Sequence, residues 1–188
     1  MRTVVRVGIA DHFGWAIVVS ASDTYDVVDR RRIELVEPGV TQAPIHYESK
    51  HLDVASTVAL VAEVRGSVMR ATAAALDELV SSLPDPVASI SLRALPADFP
   101  TDNEVLRRAP YEARADAVMY REVIVELASQ RGWDVHFYEA KTVLAEAMSI
   151  LGDRADAILD GPRARLGPPW AKDHRMALAA TVVAGASR

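Results

Sequence analysis

The chain has 188 residues, of which 50% are hydrophobic, 25% charged and 6% aromatic, which is typical of a soluble globular protein. This length predicts a single domain over residues 1–188, with a core large enough to fold without a metal or a disulfide. The absence of cysteine excludes disulfides, zinc–thiolate sites, iron–sulfur clusters and cysteine nucleophiles.

The balance of charges argues against a protein built to coat nucleic acid or an anionic membrane. There are 21 Lys and Arg residues against 26 Asp and Glu residues, which gives a formal charge of -5. The basic residues also fall into separate groups with acids close to each: Arg30 to Arg32, Arg107 with Arg108, and Arg163 with Arg165. We therefore expect no strong general affinity for duplex DNA.

The apolar segments are too short for a secretory signal or a membrane span. Asp11 and His12 interrupt the first apolar run. The apolar stretch over residues 176–186 is far below the roughly 20 residues that a span requires. We expect a cytoplasmic protein without a membrane partner, and a homo-oligomer remains open.

The first 37 residues predict three antiparallel strands. Residues 3–11 and 14–21 are rich in Val and Ile, and in residues 27–37 Ile33 and Leu35 alternate with charged side chains. Connections this short force neighbouring strands to run antiparallel. Arg30, Arg31 and Arg32 then indicate a solvated strand face or a sheet edge protected by charge.

The rest of the chain alternates helices with two further strands. Residues 38–51, 96–110 and 161–169 predict loops because of their Pro, Gly and polar content. Helical spacing covers residues 52–83, with a break allowed near Gly66, and then 111–131, 142–151, 154–159 and 171–185. Residues 87–95 and 133–139 alternate apolar and polar side chains and predict strands.

This order of elements resembles the ribonuclease-H-like superfamily, which includes resolvases and integrases, and the resemblance covers nearly the whole chain. Residues 7–11 followed by 14–18 look like its opening hairpin. The resemblance implies an α/β fold with a mixed five-stranded sheet flanked by helices. The first three strands would be antiparallel and the last two would run parallel to the first strand.

The same resemblance implies a metal-dependent phosphodiester hydrolase, similar to a nuclease. An aspartate near the end of the first strand and a carboxylate near the start of the last helix bind metal in that superfamily, and they match Asp11 and Asp173. Glu139 ends the last strand, and the three acids would be the catalytic residues. With His12 and His174 they would hold Mg²⁺ or Mn²⁺, and Lys172 or Arg93 would stabilise negative charge.

The sequence departs from the resolvase pattern at two strands. Ala10 stands where that pattern has aspartate, so Asp11 comes one residue late, and a shift of one residue turns a strand side chain to the other face. The strand over residues 87–95 carries no acid. These departures favour the alternative of a non-catalytic binding or assembly module of the same fold, and whether the protein is an enzyme stays open.

The candidate residues also have purely structural interpretations. Asp173 could cap a helix, Asp11 could start a turn, and Glu139 could pair with Lys141 or Lys172. Arg114 and Arg121 lie seven residues apart on one helix face and could grip a phosphate or carboxylate. Alternatively, they could form ion pairs within the protein.

Overall fold

A computed structural model describes residues 3–186, which form one mixed five-stranded sheet in the order β3-β2-β1-β4-β5. This confirms the predicted fold class. The strands are β1 (Val5–Asp11), β2 (Trp15–Ala21), β3 (Val27–Glu34), β4 (Val87–Arg93) and β5 (Asp134–Tyr138).

Strand direction follows the length of each connection. β1 pairs with β2 and β2 with β3 in antiparallel fashion, across short turns. β4 is parallel to β1, and β5 is parallel to β4, because helices cross over between them. Val7, at the centre of the sheet, lies opposite Ser20 of β2 and Ile90 of β4.

Seven α-helices lie within the described residues. They are α1 (Val54–Ser82), α2 (Asn103–Leu106), α3 (Glu112–Gln130), α4 (Val143–Leu151), α5 (Ala155–Leu159), α6 (Gly161–Leu166) and α7 (Lys172–Ala186). No helix in this part of the chain is both long enough and apolar enough to cross a lipid bilayer.

Four segments differ from the sequence-based expectation, and one of them is α2, which lies within the predicted loop 96–110. α1 runs through Gly66 without a break, because the buried Val64 and Val68 on either side outweigh the roughly 1 kcal/mol that glycine costs a helix. Residues 161–166 are helical rather than a loop, since Pro162 suits the first turn of a helix. The loop after β3 contains a single π-helical turn at Pro44–Glu48.

The two faces of the sheet bury two separate cores. Val5, Val7 and Ile9 of β1 pack with α1 and α3 on one face. Ala10 of β1 packs with α4 and α7 on the other face. Alternate residues of a strand point to opposite faces, so Asp11 belongs to the face that Val7 and Ile9 present to α3.

α7 lies directly against β1 because the contact residues are small. A Cβ atom on Gly8 would stand 1.9 Å from the backbone oxygen of Ala177, a distance that no carbon can occupy. The main chain of α7 therefore packs on the main chain of β1. This close approach brings the start of α7, with Asp173, near the end of β1.

Candidate functional site

A cavity of about 480 Å³ opens at the carboxyl ends of the parallel strands β1, β4 and β5. In open α/β sheets this is the edge at which ligands bind. Residues 11–13, residues 93–96 and Glu139 line it from the strand ends. We call this cavity the strand-end cleft.

The first half of α3 forms the opposite wall of the strand-end cleft. Its lining residues are Ala113, Arg114, Ala117, Val118 and Arg121, at the three- and four-residue spacing of one helix face. The small alanines leave the space open, and the two arginines bring positive charge into it. Arg114 and Arg121 were both predicted as ligand-binding residues, and both line the cleft.

Asp11 is held by an arginine of α3. The Nε atom of Arg121 donates a hydrogen bond to Oδ2 of Asp11 at 2.9 Å, and the Asp11 residue is only 2% exposed. Nη1 of Arg121 also donates to the backbone oxygen of Ala94 at 3.2 Å. The guanidinium thus places a positive charge directly beside the buried carboxylate.

Arg93, at the end of β4, stands between the two aspartates. Its Nη1 donates to the backbone oxygen of Asp11 at 3.0 Å. Its Nε lies 3.9 Å from Oδ1 of Asp11, and its Nη2 lies 3.8 Å from Oδ1 of Asp173. Oδ1 of Asp11 and Nε of Arg93 are both covered and make no hydrogen bond within the described residues. Arg93 therefore acts on both carboxylates through its charge.

Asp173 is paired with a histidine of the opening hairpin. Nε2 of His12 lies 2.9 Å from Oδ2 of Asp173. The ring of His12 stacks on Trp15 at a centroid distance of 4.1 Å, and the guanidinium of Arg32 lies 4.3 Å from the centroid of the Trp15 ring. This stack fixes the histidine from the side. Trp15 and Arg32 were not predicted to support the site, since their contact depends on the β2–β3 pairing.

His174 turns away from the strand-end cleft. It is buried against Trp170, with ring centroids 5.5 Å apart, and its Nδ1 accepts a hydrogen bond from the backbone N–H of Ala171 at 3.2 Å. Burial and the neighbouring charge of Arg30 lower the pKa of His174. The structure therefore gives His174 the role of closing the first turn of α7.

Glu139 lines the cleft from the position just after the end of β5. It is exposed, and Phe137 on the same face is 48% exposed, because β5 is an edge strand. Neither Lys141 nor Lys172 pairs with Glu139 in the described part of the chain. Lys172 is exposed at the start of α7 and is not part of the cleft lining formed by the described residues.

A second stripe of α3 holds the loop after β3 instead of a ligand. The carboxylate of Asp116, which is fully buried, accepts hydrogen bonds from the backbone N–H groups of Ile45 and His46 at 3.1 and 2.8 Å. The hydroxyl of Tyr120 donates to the backbone oxygen of Gln42 at 2.8 Å. Burial raises the pKa of both groups. Asp116 and Tyr120 thus fix this loop beside the cleft.

Comparison with known proteins identifies the fold. No protein-family model and no curated protein matches the chain. Among solved structures it is similar to T. thermophilus RuvC in complex with a Holliday junction substrate, with 12% identity and a TM-score of 0.50. The match covers 98% of this chain and 94% of RuvC. The fold is ribonuclease-H-like. At this level of identity the likeness concerns the fold and assigns no residue a role.

The carboxylates at the strand-end cleft do not fit a two-metal centre. Such a centre needs several carboxylates converging on cations about 4 Å apart. Here Arg121 and Arg93 lie against Asp11, and His12 holds Asp173. Within residues 3–186, no three side chains of His, Asp or Glu are grouped so that they could hold a metal ion.

Proposed function

We propose that the protein is a binding module of the ribonuclease-H-like fold, whose strand-end cleft holds a small anionic molecule. The observation that carries this proposal is the ion pair of Asp11 with Arg121. A cation that belongs to the chain itself lies where the resemblance would put a metal. The charge of the buried carboxylate is therefore balanced through Oδ2 without an external cation, while Oδ1 makes no hydrogen bond with the described residues.

The charges of the cleft support an anionic ligand. Three arginines line it, Arg93, Arg114 and Arg121, against the two acids Asp11 and Glu139. Arg121 is engaged by Asp11. The exposed side chain of Arg114 makes no ion pair or hydrogen bond with any described residue, and its guanidinium lies 5.7 Å from the centroid of the Phe99 ring. A guanidinium offers a planar fork of donors that suits phosphate and carboxylate. Arg114 is thus available to a ligand.

The size of the cleft supports a small molecule. Its volume of about 480 Å³ lies within the roughly 300–1,000 Å³ of ordinary small-molecule sites. Leu95, Pro96 and Val118 give it apolar walls between the charged groups. Such a combination of apolar walls and a few charged groups is common in ligand pockets.

A second candidate function is metal-dependent phosphodiester hydrolysis with Mg²⁺ or Mn²⁺. The structural likeness to RuvC, which was solved with a Holliday junction substrate, and the position of Asp11 and Glu139 in one cleft favour it. It would require Arg121 to leave Asp11. The energetic cost of exposing that buried pair makes this candidate the weaker one.

The test is binding of ethyl phosphate, measured by isothermal titration calorimetry. Wild type should bind it, and Arg114→Gln should bind it about tenfold more weakly, because a hydrogen bond to a charged group contributes roughly 1.5–3 kcal/mol. Arg154→Gln is the matched control, since Arg154 is exposed outside the cleft. Absence of binding to wild type, or an equal loss in both variants, would refute the anion site.

A further inference from the structure

Arg114 and Glu139 bring opposite charges into the strand-end cleft from different elements. Arg114 comes from the first turn of α3, and Glu139 follows the end of β5. A ligand that carries only negative charge would bind Arg114 and be repelled by Glu139. The presence of both groups in one cavity therefore restricts the class of ligand.

Both side chains keep their hydrogen-bonding groups free for a ligand, although the guanidinium of Arg114 also contacts the Phe99 ring. Arg114 and Glu139 are exposed, and neither forms an ion pair with the other or with any other residue between 3 and 186. The remaining charged side chains of the lining, Asp11, Arg93 and Arg121, already interact with one another. The cleft thus offers a ligand one unpaired cation and one unpaired anion.

We propose that the ligand of the strand-end cleft is bipolar, with an anionic phosphate or carboxylate at Arg114 and an ammonium group at Glu139. This inference rests on the proposed anion site and specifies the chemistry of its ligand. Charge complementarity at both ends gives specificity, because a ligand with two anionic groups meets the repulsion of Glu139. The apolar side chains of Leu95 and Pro96 suit a short alkyl segment between the two groups.

The exposure of Arg114 and Glu139 to water limits how much each can add to the affinity for a ligand. Ion pairs that remain partly exposed to water contribute modestly. For a ligand that adds an ammonium group, we expect a gain in affinity of about fivefold, at the upper end of this range. Because Glu139 is exposed and unpaired in the described structure, replacing it should not disturb the fold.

The experiment compares two probes of matched size, phosphoethanolamine and ethyl phosphate, by isothermal titration calorimetry. Wild type should bind phosphoethanolamine about fivefold more tightly than ethyl phosphate. Glu139→Gln should remove this preference without weakening the binding of ethyl phosphate. Glu146→Gln, which removes an exposed acid outside the cleft, should keep the preference.

Each outcome separates the bipolar ligand from the simpler anion site. Equal affinity of wild type for the two probes, with binding still dependent on Arg114, would overturn the bipolar ligand and leave the anion site standing. A preference that persists in Glu139→Gln would overturn the role of Glu139 in the same way. Failure of wild type to bind either probe would overturn both proposals.

Discussion

Arg121 and Asp11 are 110 residues apart in the sequence, and their side chains form a 2.9 Å hydrogen-bonded ion pair at the end of the central strand. Asp11 is almost fully buried, while the Arg121 side chain is 15% exposed. The pair therefore ties α3 to β1 and defines the floor of the strand-end cleft. It also sets the electrostatic character of the cleft, because the negative charge of Asp11 is balanced by the positive charge of Arg121.

Breaking this pair should destabilise the protein strongly. Arg121→Met leaves the buried Asp11 carboxylate with only the charge of Arg93, whose Nε lies 3.9 Å from Oδ1 and makes no hydrogen bond to it. Removing one partner of a buried pair costs about 3–5 kcal/mol. Urea unfolding should show a loss near the lower end of that range. Arg65→Met is the control, because the Arg65–Glu126 pair is much more exposed, and it should change stability by less than about 1 kcal/mol. Equal losses in the two variants would refute a structural role for the Asp11–Arg121 pair.

The contact between β1 and α7 predicts opposite effects for two glycine substitutions. Gly8→Ala places a methyl group on the backbone oxygen of Ala177, and we expect a loss of about 3 kcal/mol or more from overpacking. Gly66→Ala meets only the end of the Arg70 side chain, at 3.5 Å, and should stabilise α1 by about 0.5–1 kcal/mol. Thermal and urea unfolding measure both. A Gly8→Ala protein as stable as wild type would show that α7 packs differently.

His174 should contribute to the pH dependence of stability. Burial, reinforced by the charge of Arg30 and opposed by that of Asp173, lowers its pKa in the folded protein below the ordinary value. Its contribution is therefore fully present above the unfolded pKa of about 6.5 and is lost as the pH falls through the folded pKa. His174→Asn keeps an acceptor for the Ala171 N–H group and should lack this slope. Urea unfolding between about pH 8 and about pH 5 compares the two proteins, and parallel curves would contradict the prediction.

The protein should lack strong general affinity for DNA. Useful binding at physiological salt takes about 6–10 phosphate contacts, and many surface arginines are paired internally. Arg31 pairs with Asp29, Arg32 with Glu34 and Arg108 with Glu104. Fluorescence anisotropy with duplex and branched DNA at about 150 mM salt, where the Debye length is about 8 Å, should show no submicromolar binding. Tight binding with a steep salt dependence would instead favour the hydrolase candidate.

The fold could be predicted from connection lengths and apolar periodicity. Short turns fixed β1, β2 and β3 as an antiparallel meander, and helical crossovers made β4 and β5 parallel to β1. The sequence could not show that α1 continues unbroken through Gly66, because packing of the neighbouring valines decides it.

The candidate site could be predicted in part. The sequence selected Asp11, His12, Arg93, Arg121 and Glu139, and all five line the strand-end cleft. The position of Asp11, one residue later than in the resolvase pattern, also indicated that its side chain changes face. Its pairing with Arg121 could not be predicted, because it depends on how α3 is placed against β1. His174, selected with them, is buried against Trp170 instead, which depends on how the chain before α7 folds back onto the helix.

The central claim is that Asp11 and Asp173 are held by the protein's own side chains and bind no metal. Its most direct test is thermal unfolding of chelator-treated wild type in millimolar Mn²⁺. A ligand that binds only the folded state raises the Tm. Because Arg121 and His12 already hold Asp11 and Asp173, we predict the same Tm with and without Mn²⁺. A rise in Tm that Asp11→Asn and Asp173→Asn both abolish would contradict the account and establish a metal centre.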